Sequence, residues 1–128
     1  MKLRLRHNSI RLRLNRRDVA RLAEYGSVEE SVQFGMSPHE RLVYALIASD
    51  ETILMKTSLD AHRVTVWVPK SAASEWTTTD QVAIEAEQKI GGGRILQIFV
   101  EKDFACIEPR VGCDDADTFP NPKQCAAG

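Results

Sequence analysis

Met1-Lys-Leu-Arg-Leu-Arg-His-Asn-Ser-Ile-Arg-Leu-Arg-Leu14 alternates leucine or isoleucine with arginine on both sides of a short polar turn. Period-two alternation sends successive side chains to opposite faces of a strand, so the stretch predicts a β-hairpin with one apolar and one cationic face. With Asn8-Ser9 as a two-residue turn, Leu5 faces Leu12 and Leu3 faces Leu14, while Arg4 stands opposite Arg13 and Arg6 opposite Arg11. Like charges directly opposite one another destabilise a strand pair. The negative group that answers these arginines therefore bears on what the protein does.

Downstream of the hairpin, Asn15 followed three residues later by Asp18 is a capping-box variant, and Val19, Leu22 and Ala23 outline an amphipathic helix of about ten residues ended by Gly26. Val28, Glu30, Val32 and Phe34 alternate with polar residues in a strand that Gly35 and Pro38 break. Arg41 to Ser49, Thr52 to Leu59 and Arg63 to Val68 are three more β-rich runs, predicted to form a meander. Pro69 stops the last of them, and Ser71 is the expected cap of a second short helix through Trp76. Val82 to Glu87 and Leu96 to Val100 are strands joined by Gly91-Gly92-Gly93, a final hairpin expected to close the sheet. A strand pair followed by a short helix thus occurs twice.

The predicted class is α+β, with about eight mostly antiparallel strands in a curved sheet or open barrel, two short helices and an irregular C-terminal wrap. A chain of 128 residues is expected to make one domain over residues 1–123, with 124–128 a frayed tail. The 43% hydrophobic and 27% charged composition is that of an ordinary globular chain rather than a disordered or fibrous one. Net charge is −1, but the charge is polarised: Lys2, Arg4, Arg6, Arg11, Arg13, Arg16, Arg17 and Arg21 face one acid, Asp18, in the first 21 residues, whereas acids outnumber bases from Glu101 onward.

The longest apolar run, Leu42 to Ala48, is seven residues, against the roughly 20 of a membrane helix. No apolar core of a secretory signal follows the basic N-terminus, and the three cysteines, Cys106, Cys113 and Cys125, are an odd set in the last quarter. Both observations favour a reducing compartment, with the cytoplasm as the expected location and no membrane partner.

The cationic face of Lys2, Arg4, Arg6, Arg11 and Arg13 has two readings. Arginine forks suit bidentate contact with phosphate, which makes the face an anion site. Alternatively Glu29, Glu85 and Glu87, on the outward positions of other strands, neutralise it strand by strand. A nucleic-acid partner is disfavoured, because no Phe, Tyr or Trp lies in the first 24 residues to stack on bases. Asp103 to Asp117 offers thiols and carboxylates, yet Cys106 and Cys113 are seven apart and His7, His39 and His62 are scattered. That is the spacing of neither a zinc nor a calcium site. No nucleophile elbow occurs, and the triple glycine links strands rather than opening a helix. No catalytic residue and no cofactor are assigned.

Glu85-Ala-Glu-Gln-Lys89 resembles the E-x-E-x-K strand of triphosphate tunnel enzymes, although here it lies two-thirds along the chain rather than near its start. The resemblance implies a metal-binding role for Glu85 and Glu87. Over most of its length the chain resembles a family of small uncharacterised bacterial proteins, through the N-terminal hairpin, Ser74-Glu-Trp-Thr-Thr-Thr-Asp-Gln-Val82, Val100-Glu-Lys-Asp-Phe-Ala-Cys106 and Phe119-Pro-Asn-Pro122. That likeness implies a compact single-domain cytosolic protein.

The residues together favour a non-enzymatic binding or interaction module, with a second copy or another protein as partner. The alternative is a phosphate- or polyphosphate-handling enzyme. In it Arg4, Arg6, Arg11 and Arg13 line an anion pocket, and Glu85 and Glu87 bind a divalent metal.

Overall fold

The computed structural model describes residues 1–104. In chain order these form β1 (Lys2–Arg6), β2 (Ser9–Leu14), α1 (Arg16–Tyr25), β3 (Ser27–Gln33), β4 (Arg41–Ser49), β5 (Lys56–Asp60), β6 (Arg63–Pro69), α2 (Lys70–Thr78), β7 (Ala83–Gly91) and β8 (Arg94–Lys102). Cys106, Cys113, Cys125, the Asp114 to Asp117 cluster and the expected C-terminal wrap lie outside the described residues.

The strands form two four-stranded sheets rather than one curved sheet or barrel, in the orders β1-β2-β8-β7 and β3-β4-β6-β5. Each sheet holds two antiparallel hairpins or strand pairs, joined by a parallel pair at its centre: β2 with β8 and β4 with β6. The α+β class and the mostly antiparallel pairing hold. The middle of the chain is not a meander, because β4 bonds to β6 in parallel and leaves β5 at the edge. Burial explains this order. On β4, Val43, Ala45 and Leu46 are each at most 1% exposed, so both faces of the strand are covered, which suits a central position. The run expected from Thr52 is strand only from Lys56; Thr52 and Met55 are buried in the connection instead.

The first hairpin turns at His7-Asn8, one residue earlier than expected, and pairs Lys2 with Arg13, Leu3 with Leu12, Arg4 with Arg11 and Leu5 with Ile10. The shift slides β1 by two residues along β2 and leaves every side chain on its expected face. Asn15 caps α1 as the sequence implies: its side chain accepts from the Asp18 N–H (2.9 Å), and the Asp18 carboxylate accepts from the Asn15 N–H (3.3 Å). Gly26, at φ 80°, ends the helix in the left-handed conformation that favours glycine. Ser71 is not the cap of α2. The helix starts at Lys70 with Pro69 in the cap position, where the fixed φ of proline (−58° here) leads into the first turn and no side chain caps it.

The two sheets enclose one apolar core in which Leu12, Leu14, Leu46, Val66, Val68, Ile98 and Val100 are at most 1% exposed. Leu22 of α1 and Trp76 of α2 enter the same core, and the indole N–H of Trp76 donates to the Val82 carbonyl at 3.0 Å. Trp67 is half-buried on β6 and donates to Ser58 Oγ at 3.1 Å.

The doubled strand-pair-and-helix pattern is a structural repeat. Val43 N–H donates to His62 O (2.8 Å) and Gln97 N–H to Asn8 O (3.0 Å), and both 97 − 43 and 62 − 8 equal 54. The same step carries the pair Leu12–Val100 onto Val66–Leu46 (66 − 12 and 100 − 46), exchanging the two parallel ladders. It also carries Leu22 onto Trp76. Each half is therefore a ββαββ unit whose first hairpin is donated to the other half's sheet.

Side chains tie the sheets together where their edge strands meet. Gln88 Oε1 of β7 accepts from the Thr57 N–H and Oγ1 of β5, both at 2.8 Å. Across the other seam the Met1 amine bonds to Glu30 of β3 and lies 2.7 Å from Asp18 of α1.

Candidate functional site

The cationic residues of the first hairpin emerge on the outer face of the first sheet, where the strand registers arrange them in rows. One row runs Arg4, Arg11, Phe99, Glu85 across β1, β2, β8 and β7. Its neighbour toward the turns is Arg6, Ser9, Gln97, Glu87, and its neighbour on the other side is Lys2, Arg13, Glu101, Ala83. In these three rows cations occupy the β1–β2 half and carboxylates the β8–β7 half; beyond them Lys89 shares the outward face of β7 with Glu85 and Glu87.

Part of this charge is answered inside the molecule. Glu101 takes both Arg11 Nη1 and Arg13 Nε at 3.3 Å, and the Arg11 guanidinium lies 4.5 Å from the centre of the Phe99 ring. Lys2 Nζ is 2.9 Å from Asp103. The expected neutralising acids are thus replaced by Glu101 and Asp103. The reason is topological: β8 rather than β7 lies against β2, so Glu101 reaches the arginines and Glu85 is held one strand further off. Glu29 pairs with Arg63 of the second sheet at 2.5 Å.

The remaining charge is exposed. Among the described residues no ion pair involves Arg4, Glu85 or Glu87, and all three are exposed. Glu85, Ala86, Glu87, Gln97 and Phe99 line a shallow depression of about 270 Å³ on the β7–β8 half. Four strands at about 4.8 Å spacing place Arg4 roughly 14 Å from Glu85, too far for the two to meet within one molecule. Both glutamates of the E-x-E-x-K strand point outward, away from an interior filled by Leu12, Val100, Leu46 and Val66. No group of three or more His, Cys, Asp or Glu among the described residues could hold a metal ion.

Phe99 and Glu101 were not readable as parts of this surface. Alternation along β8 shows which side chains share a face, but the parallel partner that brings that face beside Arg11 lies 88 residues earlier (97 − 9).

A second polar cluster, part-buried at the seam between β1 and β3, joins the Met1 amine to Asp18 and Glu30, with the Tyr44 hydroxyl donating to the Met1 carbonyl at 3.3 Å. Burial pulls the amine's pKa down, but its bonds to Asp18 and Glu30 outweigh this and hold it above its ordinary value. Burial, and then the charges of Glu30 and Asp18, push the Tyr44 hydroxyl up. The two ion pairs of this single ammonium fasten the start of β1 to α1 and β3.

No helix among the described residues is long and apolar enough to cross a membrane. No curated protein and no solved structure matches the chain. A family model, DUF7009, described as a family of unknown function, matches residues 1–123, and the chain belongs to that family.

Proposed function

We propose that this protein is a non-enzymatic binding module that holds a macromolecular partner on the outer face of its first sheet. One observation carries the reading: Arg4 on one edge and Glu85 and Glu87 on the other are exposed and form no ion pair among the described residues. Arg4 also stands directly opposite Arg11, a like-charge pair whose cost a partner carboxylate would relieve. The second sheet supplies the contrast. Its Glu29 and Arg63 are already joined, and Ala45 and Thr65 beneath them are 1% and 3% exposed.

The test is site-specific photocrosslinking in the full-length chain, with the crosslinker at Gln97 on the first sheet and, as control, at Ser58 on the outer face of the second. Adducts from position 97 and few from position 58 are expected. Equal yields from both, or none from either, would remove the reading. Divalent-dependent triphosphate hydrolysis by the parent, abolished in Glu85→Ala, would replace it with the phosphate-handling one.

A further inference from the structure

The charge pattern of the first sheet's outer face matches its own rotated image. We infer that this face binds a second copy of the chain about a two-fold axis lying between the two faces and parallel to the strands; the inference rests on the binding-module reading above. Such an axis keeps each row in register and exchanges its two ends. The Arg4 row of one copy then lies over the same row of the other, with Arg4 above Glu85 and Arg11 above Phe99. In the next row Glu87 lies under Arg6, and Gln97 under Ser9.

Every charge contact occurs twice, once in each direction, as an isologous interface requires. The exposed carboxylates of β7 meet the cations that are out of their reach within one molecule, and Phe99, at the centre, supplies an aromatic surface from which water can be excluded. Twist limits face-to-face contact of two sheets to the middle of the face, where the Arg4 row lies between the other two.

The internal repeat excludes the equivalent face of the second sheet from this role. The step of 54 places Ser58, Thr65 and Ala45 where the first sheet has Arg4, Arg11 and Phe99 (58 − 4, 65 − 11 and 99 − 45). Charge separation is therefore a property of the first sheet, which both halves build, and not of the second. A face about 19 Å wide is small among stable interfaces, so association should depend on concentration and weaken with salt.

The experiment is sedimentation equilibrium of the full-length chain at low and high salt, with Arg4→Glu, Glu85→Arg and the double swap carrying both, each checked for native circular dichroism. The parent is expected to dimerise at low salt. Each single variant should lose at least about tenfold in self-affinity through like-charge juxtaposition. The double swap should regain the homodimer, and an equimolar mixture of the two single variants should form the heterodimer, because each then offers the charge the other lacks.

A monomeric parent, single variants that dimerise as well as the parent, or a mixture that stays monomeric would each overturn the inference. Failure here is distinguishable from failure of the binding reading. Crosslinks from position 97 to a different protein, with a monomeric parent, would leave the module and remove the self-pairing.

Discussion

His7 and Ala61, the first residues of two equivalent hairpin turns, have φ of 52° and 53°, in the left-handed region that a Cβ disfavours. Ala61 and His62 alone connect Asp60 of β5 to Arg63 of β6, which pair directly, so the conformation of Ala61 is set by a two-residue connection with no slack. Ala61→Gly should therefore stabilise the fold by about 0.5–1 kcal/mol, read as a higher urea midpoint at unchanged slope; a lower midpoint would contradict the strain. The Met1 amine makes a second prediction. Its folded pKa is raised above the ordinary value of 8.0, so the stability it contributes is fully present below that value and is lost as pH rises through the raised one. Thermal midpoints should fall between pH 7 and 9.5, below the range where Tyr44, also shifted upward, adds a loss of the same sign. Asp18→Asn should flatten this dependence and lower stability at pH 7, since it weakens both the ion pair and the capping box of α1.

Between elements, the seam of β7 and β5 depends on Gln88, whose amide oxygen accepts from two Thr57 donors and whose nitrogen donates to the Thr57 carbonyl at 3.4 Å. Gln88→Ala leaves a part-buried edge N–H without its partner and should cost roughly 1–3 kcal/mol, with hydrogen exchange at Thr57 accelerating more than at Val66 in the core. Uniform acceleration would mean that the seam is not the weak point. What sequence could reveal follows the same division between elements and their neighbours. Asn15, Asp18 and Gly26 mark α1 because caps act within one turn, and Gly91 to Gly93 mark a hairpin because its strands are consecutive. The register of the first hairpin was not readable from its pattern. A slide of two residues keeps Leu3, Leu5, Ile10, Leu12 and Leu14 on one face, so alternation does not distinguish a turn at His7-Asn8 from one at Asn8-Ser9. Nor could alternation show that Glu101 neutralises Arg11 and Arg13. It specifies a face and not the strand beside it, and β8 reaches β2 only after the rest of the fold has been laid down in sequence.

Across the whole molecule the exchange of hairpins has a thermodynamic consequence. Neither ββαββ half can complete a sheet alone: the first sheet needs β1 and β2 from one half with β7 and β8 from the other, and the second needs β3 and β4 with β5 and β6. The core is shared in the same way, with Leu12, Leu46, Val66 and Val100 from both halves in one cluster and Leu22 and Trp76 entering it from the two helices. A partly unfolded state that keeps one half would expose half of each sheet and most of that core. It should not be populated, and unfolding should be a single transition despite the duplication. The variant Trp67→Phe leaves Trp76, fully buried between the sheets, as the one tryptophan, since the chain has two. Its fluorescence and the far-ultraviolet circular dichroism should lose signal along the same denaturant curve. Refolding should be slow for a chain of this size, on the order of milliseconds to seconds, because the central ladder of the first sheet joins Ser9 to Gln97. Two separated transitions, or fluorescence that recovers before the sheet signal, would show that the halves are independent units and that exchange does not couple them.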